Sequence, residues 1–502
     1  MREGRETTER RSAIDFDLLA TLNGYPETFS VFAGEQVVLR VARKPREVVR
    51  LLPRLLVRLI WLNKVAATLR QKMLQNGTAR SLKAGRVPVA RAVSVTVRNR
   101  ITNELFHKKN LAEPTPIFAE LPARYKDNGA DYTCRISLNT QAWPPGVYEC
   151  TVHDDRGAAS QDIYVNIRPR ALDKIDLLCV LPSFTWQAYN RIGGGSFYSP
   201  ELGHVRTICT QRPMHHLTDN SIAPSLALLS LFQRSGIRLA CVDSWDLHEG
   251  KVPDGDVPVL AILVHDEYWS GPMRAKIDRL LDQGTSILVL SGNTCWWRVD
   301  VDAPNISVCK DPRKRSLWHL VDRPEEQTFV SSFRFGGYPI ERAAPNNRGI
   351  AAQIAQLPRR KLRKARAITV VDPDHPLFRG IAVGDDRSFG GNVPITYREI
   401  DAVPLNRDGS IDLAAYKGDG LAPHIIARGL AFRGKHVREG GMVVEADVRK
   451  GYVLHMGSIG WARGVWRGDE ETSKVVLNGY KHCLTKAAAN EDVRDKGPEC
   501  SG

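Results

Sequence analysis

The side chains most suited to chemistry follow an apolar run of residues 258–264, Pro-Val-Leu-Ala-Ile-Leu-Val. That run is short, unbroken and rich in branched residues, which is typical of a strand buried on both faces. It leads directly into His265, Asp266 and Glu267. In open α/β sheets ligands bind beyond the carboxyl ends of the strands, so an imidazole and a carboxylate two residues apart are candidates for one site there. The alternative interpretation is that both groups only cap the end of the strand.

Two further apolar runs end in polar and aromatic residues. Residues 174–181 are followed by a stretch that contains Tyr189, and residues 286–290 are followed by Ser291, Gly292 and Asn293. Because the carboxyl ends of parallel strands share one edge of a sheet, these endings predict a lined pocket at that edge.

The elements around these runs predict an α/β domain over residues 171–488. Helical patterns at 222–233 and 273–281 alternate with the strands, and a closing helix is predicted over 472–484. This order is typical of a doubly wound sheet. The remaining residues, 489–502, are predicted to be a polar tail.

The N-terminal part has a different pattern. Residues 21–170 contain short alternating runs separated by turn signals, which predict a β-sandwich of immunoglobulin-like architecture, preceded by a flexible arm at 1–20. A helical insertion is predicted at 46–78, with an apolar and a basic face. It either packs on its own domain or docks another subunit or an anionic surface.

Composition excludes some classes of protein. The 502 residues carry a net charge of +15, but no nucleic-acid recognition motif accompanies the basic residues, so no nucleic-acid partner is expected. No apolar run reaches the length of a membrane span. The nine cysteines are scattered without a paired spacing, which favours reduced thiols and a cytoplasmic setting.

Several ordered motifs resemble one family. They are residues 185–190 with 194–196, 265–270, 291–294, 375–380, 397–401 and 456–461. This set is similar to the large (beta) subunit of N,N-dimethylformamidase, over about residues 175–484. The resemblance implies that the C-terminal domain has a glutamine-amidotransferase-like α/β fold.

The resemblance also implies a mononuclear iron, Fe³⁺, held by two tyrosines and one glutamate. Carried over by motif, Glu267 is the carboxylate ligand and Tyr189 is one phenolate ligand. The second tyrosine lies upstream in the family, and Tyr148 is the candidate, with Tyr198 and Tyr268 in reserve. A tyrosine of pKa about 10 needs a strongly charged cation to stay ionised at neutral pH, and hard oxygen ligands suit ferric iron.

The implied activity is hydrolysis of a small amide at its C–N bond. The resemblance assigns catalytic roles to His265, Asn293 and Glu399. Glu399 would accept the proton of a water molecule, and the other two would donate to the developing oxyanion. The family further implies assembly as a homo-oligomer, with a small helical subunit in some members.

Two alternatives stay open at this point. A cysteine amidotransferase would need a nucleophile at a strand-to-helix turn, but Cys179 lies inside a predicted strand and Cys295 lacks the surrounding glycines. The other alternative is a non-catalytic protein of the same fold that binds a ligand or partner and has lost the metal.

Overall fold

The computed structural model describes residues 22–43, 88–119, 129–190, 192, 196–198, 206–214, 222–253, 256–308, 367–390, 393–396, 400–411, 423–433 and 436–495. The predicted arm at 1–20, the predicted helical insertion at 46–78 and Glu399 lie outside these residues. The described part is a mixed α/β structure with more strands than helices. Its helices are all too short or too polar to cross a membrane.

Within the described residues of the N-terminal domain there are eight strands. They are β1 Leu22–Pro26, β2 Ser30–Phe32, β3 Gln36–Arg43, β4 Pro88–Asn99, β5 Leu105–Phe118, β6 Cys134–Asn139, β7 Gly146–Asp154 and β8 Ile163–Arg168. One sheet has the order β1-β3-β6 and the other has the order β2-β8-β7-β4-β5. Strands β7 and β8 pair antiparallel and form a hairpin.

The two N-terminal sheets enclose a common core. In β6 buried and exposed residues alternate along the strand, as expected where one face of a sheet meets water. Leu39 and Ile136 from the smaller sheet pack in one apolar cluster with Val95, Val152 and Val165 from the larger sheet. The N-terminal part therefore consists of two β-layers around one core.

The C-terminal domain is built on one large sheet. Its parallel part consists of β9 Leu177–Leu181, β11 Leu239–Asp243, β12 Val259–Val264, β14 Ser286–Ser291 and β22 Gly451–His455. Every residue of these five strands is buried, which explains the continuous apolar runs in the sequence. The spatial order is β11-β9-β12-β14-β22.

Antiparallel strands extend this sheet beyond β22. They are β21 His436–Val448, β20 His424–Arg433, β17 Ile368–Val370 and β18 Ser388–Phe389, in that order, with β19 Val403–Pro404 also paired to β21. A smaller sheet is formed by β10 Thr207–Cys209, β13 Tyr268–Trp269, β15 Trp297–Asp302 and β16 Asn305–Val308.

Helices cover both faces of the parallel strands. They are α1 Ser183–Tyr189, α2 Ile222–Arg234, α3 Ser244–Glu249, α4 Gly271–Asp282, α5 Gly460–Trp466 and α6 Glu470–Asp495. Leu177 and Cys179 of β9 pack in the cluster that contains α2, α5 and α6, and Leu178 and Val180 pack in the cluster that contains α4. Because successive side chains of a strand point to opposite faces, the sheet is a buried middle layer, as predicted. The closing helix is longer than predicted and ends at Asp495.

A buried polar contact joins the two domains. Arg168 of β8 forms an ion pair with Asp246 of α3 at 2.9 Å, and both side chains are nearly inaccessible to solvent. Asn166 donates a hydrogen bond from Nδ2 to the backbone carbonyl of Cys241 at 2.8 Å. The sandwich is therefore fixed against the end of the parallel sheet that carries β11.

Candidate active site

The strand order places a crevice at the carboxyl ends of β9 and β12. Numbered along the chain, the parallel strands lie in the order 2-1-3-4-5. In this arrangement the connections from strands 1 and 3 leave towards opposite faces, and ligands bind between them. Strand β9 is followed by α1, which ends at Tyr189, and β12 is followed by residues 265–267. Both predicted endings therefore meet at this crevice.

The last residue of β12 is held in an unfavourable conformation. Val264 has a φ of 59°, which is rare for a β-branched residue and costs about 1–3 kcal/mol. The turn ends the strand earlier than an extended continuation through Glu267 would. The His265 and Glu267 side chains nevertheless meet, with Nε2 3.3 Å from Oε2. Strain of this kind persists where the surrounding structure fixes the chain, often at a functional site.

The backbone of Glu267 is fixed from two sides. Its N–H donates to Oγ1 of Thr185 at 3.0 Å. Its carbonyl accepts from the N–H groups of Trp296 and Trp297 at 2.9 and 2.8 Å. The backbone of Glu267 is thus held by contacts to α1 and to the segment after β14, and the residue is almost completely buried.

Two tyrosine hydroxyls converge on this carboxylate. Tyr189 donates to Oε2 of Glu267 at 2.9 Å, and Tyr198 lies 3.0 Å from Oε1 and 2.9 Å from Oε2. The two rings stack with centroids 4.2 Å apart, and Tyr268 donates to the Tyr198 hydroxyl at 2.7 Å. The result is a half-buried group of two phenols around one carboxylate.

His265 completes the group. Its Nδ1 lies 2.8 Å from the backbone carbonyl of Gly292, and because a carbonyl can only accept, Nδ1 carries the proton. In the neutral ring Nε2 is then an acceptor, and it lies 3.2 Å from the Tyr189 hydroxyl. Phenol, carboxylate and imidazole therefore present an electron-rich centre.

Asn293 lies in a strained turn beside the site. Its φ is 53°, and the next residue, Thr294, donates its N–H to Oδ2 of Asp401 at 3.0 Å. Burial raises the pKa of Asp401 to about 7, although hydrogen bonds from Thr294 and Asn293 lower it. Burial likewise raises the pKa of Asp266 to about 7. From the sequence, no role was assigned to Asp266 or Asp401. The only sequence feature that could have pointed to them is their position within the motifs at 265–270 and 397–401.

The structure does not bring Tyr148 to this cluster. Tyr148 lies on β7 inside the sandwich core, with no exposed surface, and its hydroxyl donates to the carbonyl of Pro144 at 2.7 Å. Its ring packs against Phe106 and Trp143. Burial raises its pKa to about 12, which disfavours the phenolate form. Tyr148 thus fits a packing role, and Tyr198 takes its place in the candidate ligand set.

The two candidate cysteines, Cys179 and Cys295, do not offer a nucleophile. Cys179 lies in the middle of β9, as predicted, and Cys295 is fully buried. Burial raises the pKa of both thiols above the ordinary value, so each stays protonated at neutral pH. This environment argues against the amidotransferase alternative.

A family model described as "N,N-dimethylformamidase beta subunit-like, C-terminal" matches residues 105–472 of the chain. It therefore covers the N-terminal domain from β5 onward and most of the C-terminal domain, and it includes every residue of the cluster described above. No curated protein matches the chain.

Proposed function

The chain belongs to the N,N-dimethylformamidase beta subunit-like family, and on that premise we propose that it is an iron-dependent hydrolase of a small amide C–N bond. The proposed ligands of Fe³⁺ are Tyr189, Tyr198 and Glu267. The observation that carries the proposal is the convergence of two phenol hydroxyls on one buried carboxylate, within 3.0 Å of its oxygens.

The donor chemistry fits ferric iron. The group offers three hard oxygen donors, which suit Fe³⁺ better than the nitrogen and sulfur sets that zinc prefers. Two phenolates beside a carboxylate would repel one another, so ionisation of Tyr189 and Tyr198 requires a highly charged cation. The contacts from Thr185, Trp296 and Trp297 fix the backbone of Glu267, and therefore the position from which its carboxylate projects, before any ligand binds.

When bound, a ferric ion would polarise a carbonyl group and acidify water. The chain's own residues orient the amide and move protons. His265 keeps its proton on Nδ1 through Gly292, so its Nε2 would donate to the developing oxyanion only after it has accepted a proton. Asn293, held by its turn next to Thr294, would donate to the carbonyl oxygen of the substrate.

Glu399 is proposed as the acceptor of the water proton. It lies outside the described residues, but Ile400 pairs with Ser458 and the Asp401 N–H donates to the Gly457 carbonyl at 2.8 Å. These contacts fix the chain immediately after Glu399 close to the end of β22, on the side of the sheet edge that carries the candidate site.

Other parts of the proposal rest on the sequence patterns together with the resemblance. They are the immunoglobulin-like and amidotransferase-like character of the two domains, a homo-oligomeric assembly, docking of another chain on residues 46–78, and a cytoplasmic setting. Two packed β-layers and a sheet with helices on both faces support the first of these.

A matched pair of substitutions tests the proposed ligand set. Tyr198→Phe removes a ligand oxygen, so purified protein should lose iron and hydrolysis of formamide-type substrates. Tyr148→Phe removes a hydroxyl of the same kind from the sandwich core and should leave both unchanged. Equal iron content in both variants, or loss only in Tyr148→Phe, would reject Tyr198 as a ligand. Iron bound without hydrolysis of any amide would favour the non-catalytic alternative.

A further inference from the structure

A second cluster of chemically active side chains surrounds Glu445 on β21. Its neighbours come from four other elements: His424 on β20, Tyr452 on β22, His482 on α6 and His375 at the start of a 3₁₀ helix. All four contact the Glu445 carboxylate. The proposed hydrolase reaction uses none of them.

Three groups crowd a single oxygen of this carboxylate. Nε2 of His375 lies 3.2 Å and Nε2 of His482 lies 3.0 Å from Oε2, and the Tyr452 hydroxyl also bonds Oε2. An oxygen of this type offers about two lone-pair sites, so three partners exceed what hydrogen bonding alone would satisfy. The ligand atoms of His375, Glu445 and His482 all lie within 4.8 Å of one another.

These separations suit a shared cation. Ligands about 2.0–2.1 Å from a tetrahedral zinc ion are separated by about 3.3 Å from each other. The two nitrogen-to-oxygen distances in the cluster are 3.2 and 3.0 Å. Two imidazoles and one carboxylate, with a fourth position open to water, form a donor set that zinc accepts.

The second carboxylate oxygen of Glu445, Oε1, contacts a third histidine. Nδ1 of His424 lies 3.0 Å from Oε1 of Glu445, and its Nε2 lies 3.4 Å from Oδ2 of Asp372. Such outer contacts fix the orientation of a ligating carboxylate. The His424 side chain is 51% exposed, so the cluster can be reached from solvent.

We propose that His375, Glu445 and His482 form a binding site for a divalent transition cation, with zinc as the best match. The ion would join the C-terminal helix α6 to β21 and to the turn that precedes the 3₁₀ helix. The site is separate from the tyrosine and glutamate cluster in both residues and donor type.

Binding at His375 has a structural consequence. Its Nδ1 accepts from the N–H of Leu377 at 3.1 Å, which places the ring proton on Nε2 in the metal-free protein. Coordination through Nε2 moves that proton to Nδ1, so this capping contact is lost on binding. Asparagine also caps helix starts through a side-chain oxygen, so His375→Asn can remove the ligand and keep the cap.

The test uses the full-length chain after treatment with a chelator. Titration with Zn²⁺, and separately with Co²⁺ read by its visible absorption, should show one saturable site. Glu445→Gln, His482→Asn and His375→Asn should each weaken Zn²⁺ binding by at least about 100-fold, since even outer contacts contribute about 10–100-fold. His248→Asn, at a half-buried histidine elsewhere, and Glu267→Gln, in the candidate active site, should leave Zn²⁺ affinity unchanged.

A graded variant adds a second readout. His424→Asn should weaken binding by about tenfold, because it removes only an outer contact. Circular dichroism identifies variants that unfold. The Zn²⁺ affinity of the ligand variants that remain folded is then compared with that of the wild type. The proposal is overturned if the wild type shows no saturable Zn²⁺ or Co²⁺ binding, or if folded ligand variants bind as tightly as the wild type. It is also overturned if Glu267→Gln abolishes the zinc site, since the metal would then belong to the other cluster.

Discussion

Asp401→Asn should remove a pH-dependent loss of stability. Asp401 is fully buried, and burial raises its pKa from 3.8 to about 7. The unfolded chain therefore loses this proton at lower pH than the folded chain, and stability falls as pH rises from about 4 to about 7. The full difference between the two pKa values of Asp401 corresponds to a change in the free energy of unfolding of about 4 kcal/mol. Above pH 7 the loss is complete, because both states are then ionised.

The amide of the variant has nearly the same shape and can still accept from the Thr294 N–H, so the comparison isolates the charge. Between pH 5 and pH 8 the free energy of unfolding of the variant, relative to the wild type, should rise by about 3 kcal/mol. Urea unfolding of both proteins at the two pH values, followed by tryptophan fluorescence, measures this change. A difference that does not vary with pH would show that Asp401 ionises normally in the folded protein, and the reasoning would fail.

Three other substitutions have expected outcomes. Tyr148→Phe should lower the free energy of unfolding by about 1 kcal/mol, the value of one hydrogen bond, and calorimetry should show this. Thr185→Val removes the acceptor of the Glu267 and Tyr268 N–H groups. We expect the free energy of unfolding to fall by about 2–4 kcal/mol and iron to be lost faster to a chelator. If the variant retains iron as well as the wild type does, Thr185 does not position Glu267. Glu399→Gln should keep iron in metal analysis and lower turnover by roughly 10²–10⁴-fold, so near-normal turnover would exclude Glu399 as the base.

The parallel strands were predictable from sequence because of where they lie. A strand with helices on both faces needs apolar side chains in both directions, so β9, β12 and β14 appear as unbroken apolar runs. The polar residue that follows each run then marks the edge of the sheet. For that reason the meeting of Tyr189 with His265 and Glu267 could be predicted without coordinates.

The second tyrosine could not be predicted in this way. Tyr198 follows α1 in a stretch of sequence without a periodic pattern, so nothing in the sequence marks its return to the edge of the sheet. Tyr148 belongs to a strand whose inward residues alternate with outward ones, and it is one of the inward residues. Asp401 contacts Thr294 because its own segment pairs with the segment after β22. The paired residues are far apart in the sequence, so the contact could not be predicted from it.

Strand β5 also escaped sequence reasoning. It runs from Leu105 to Phe118 and contains two prolines and several charged residues, a composition that usually argues against a strand. Strand β5 lies at the edge of the five-stranded sheet. Proline is accepted on an edge strand because its missing backbone N–H need not bond a neighbouring strand there.

The central claim is that Tyr189, Tyr198 and Glu267 hold ferric iron. The most direct measurement is metal analysis of the purified wild type together with its visible absorption spectrum. We expect about one iron per chain, as a single oxygen-donor site implies, and a phenolate-to-iron charge-transfer band that disappears together with the iron in Glu267→Ala. A protein that contains no iron and shows no such band, or a folded Glu267→Ala variant that retains both, would contradict the account.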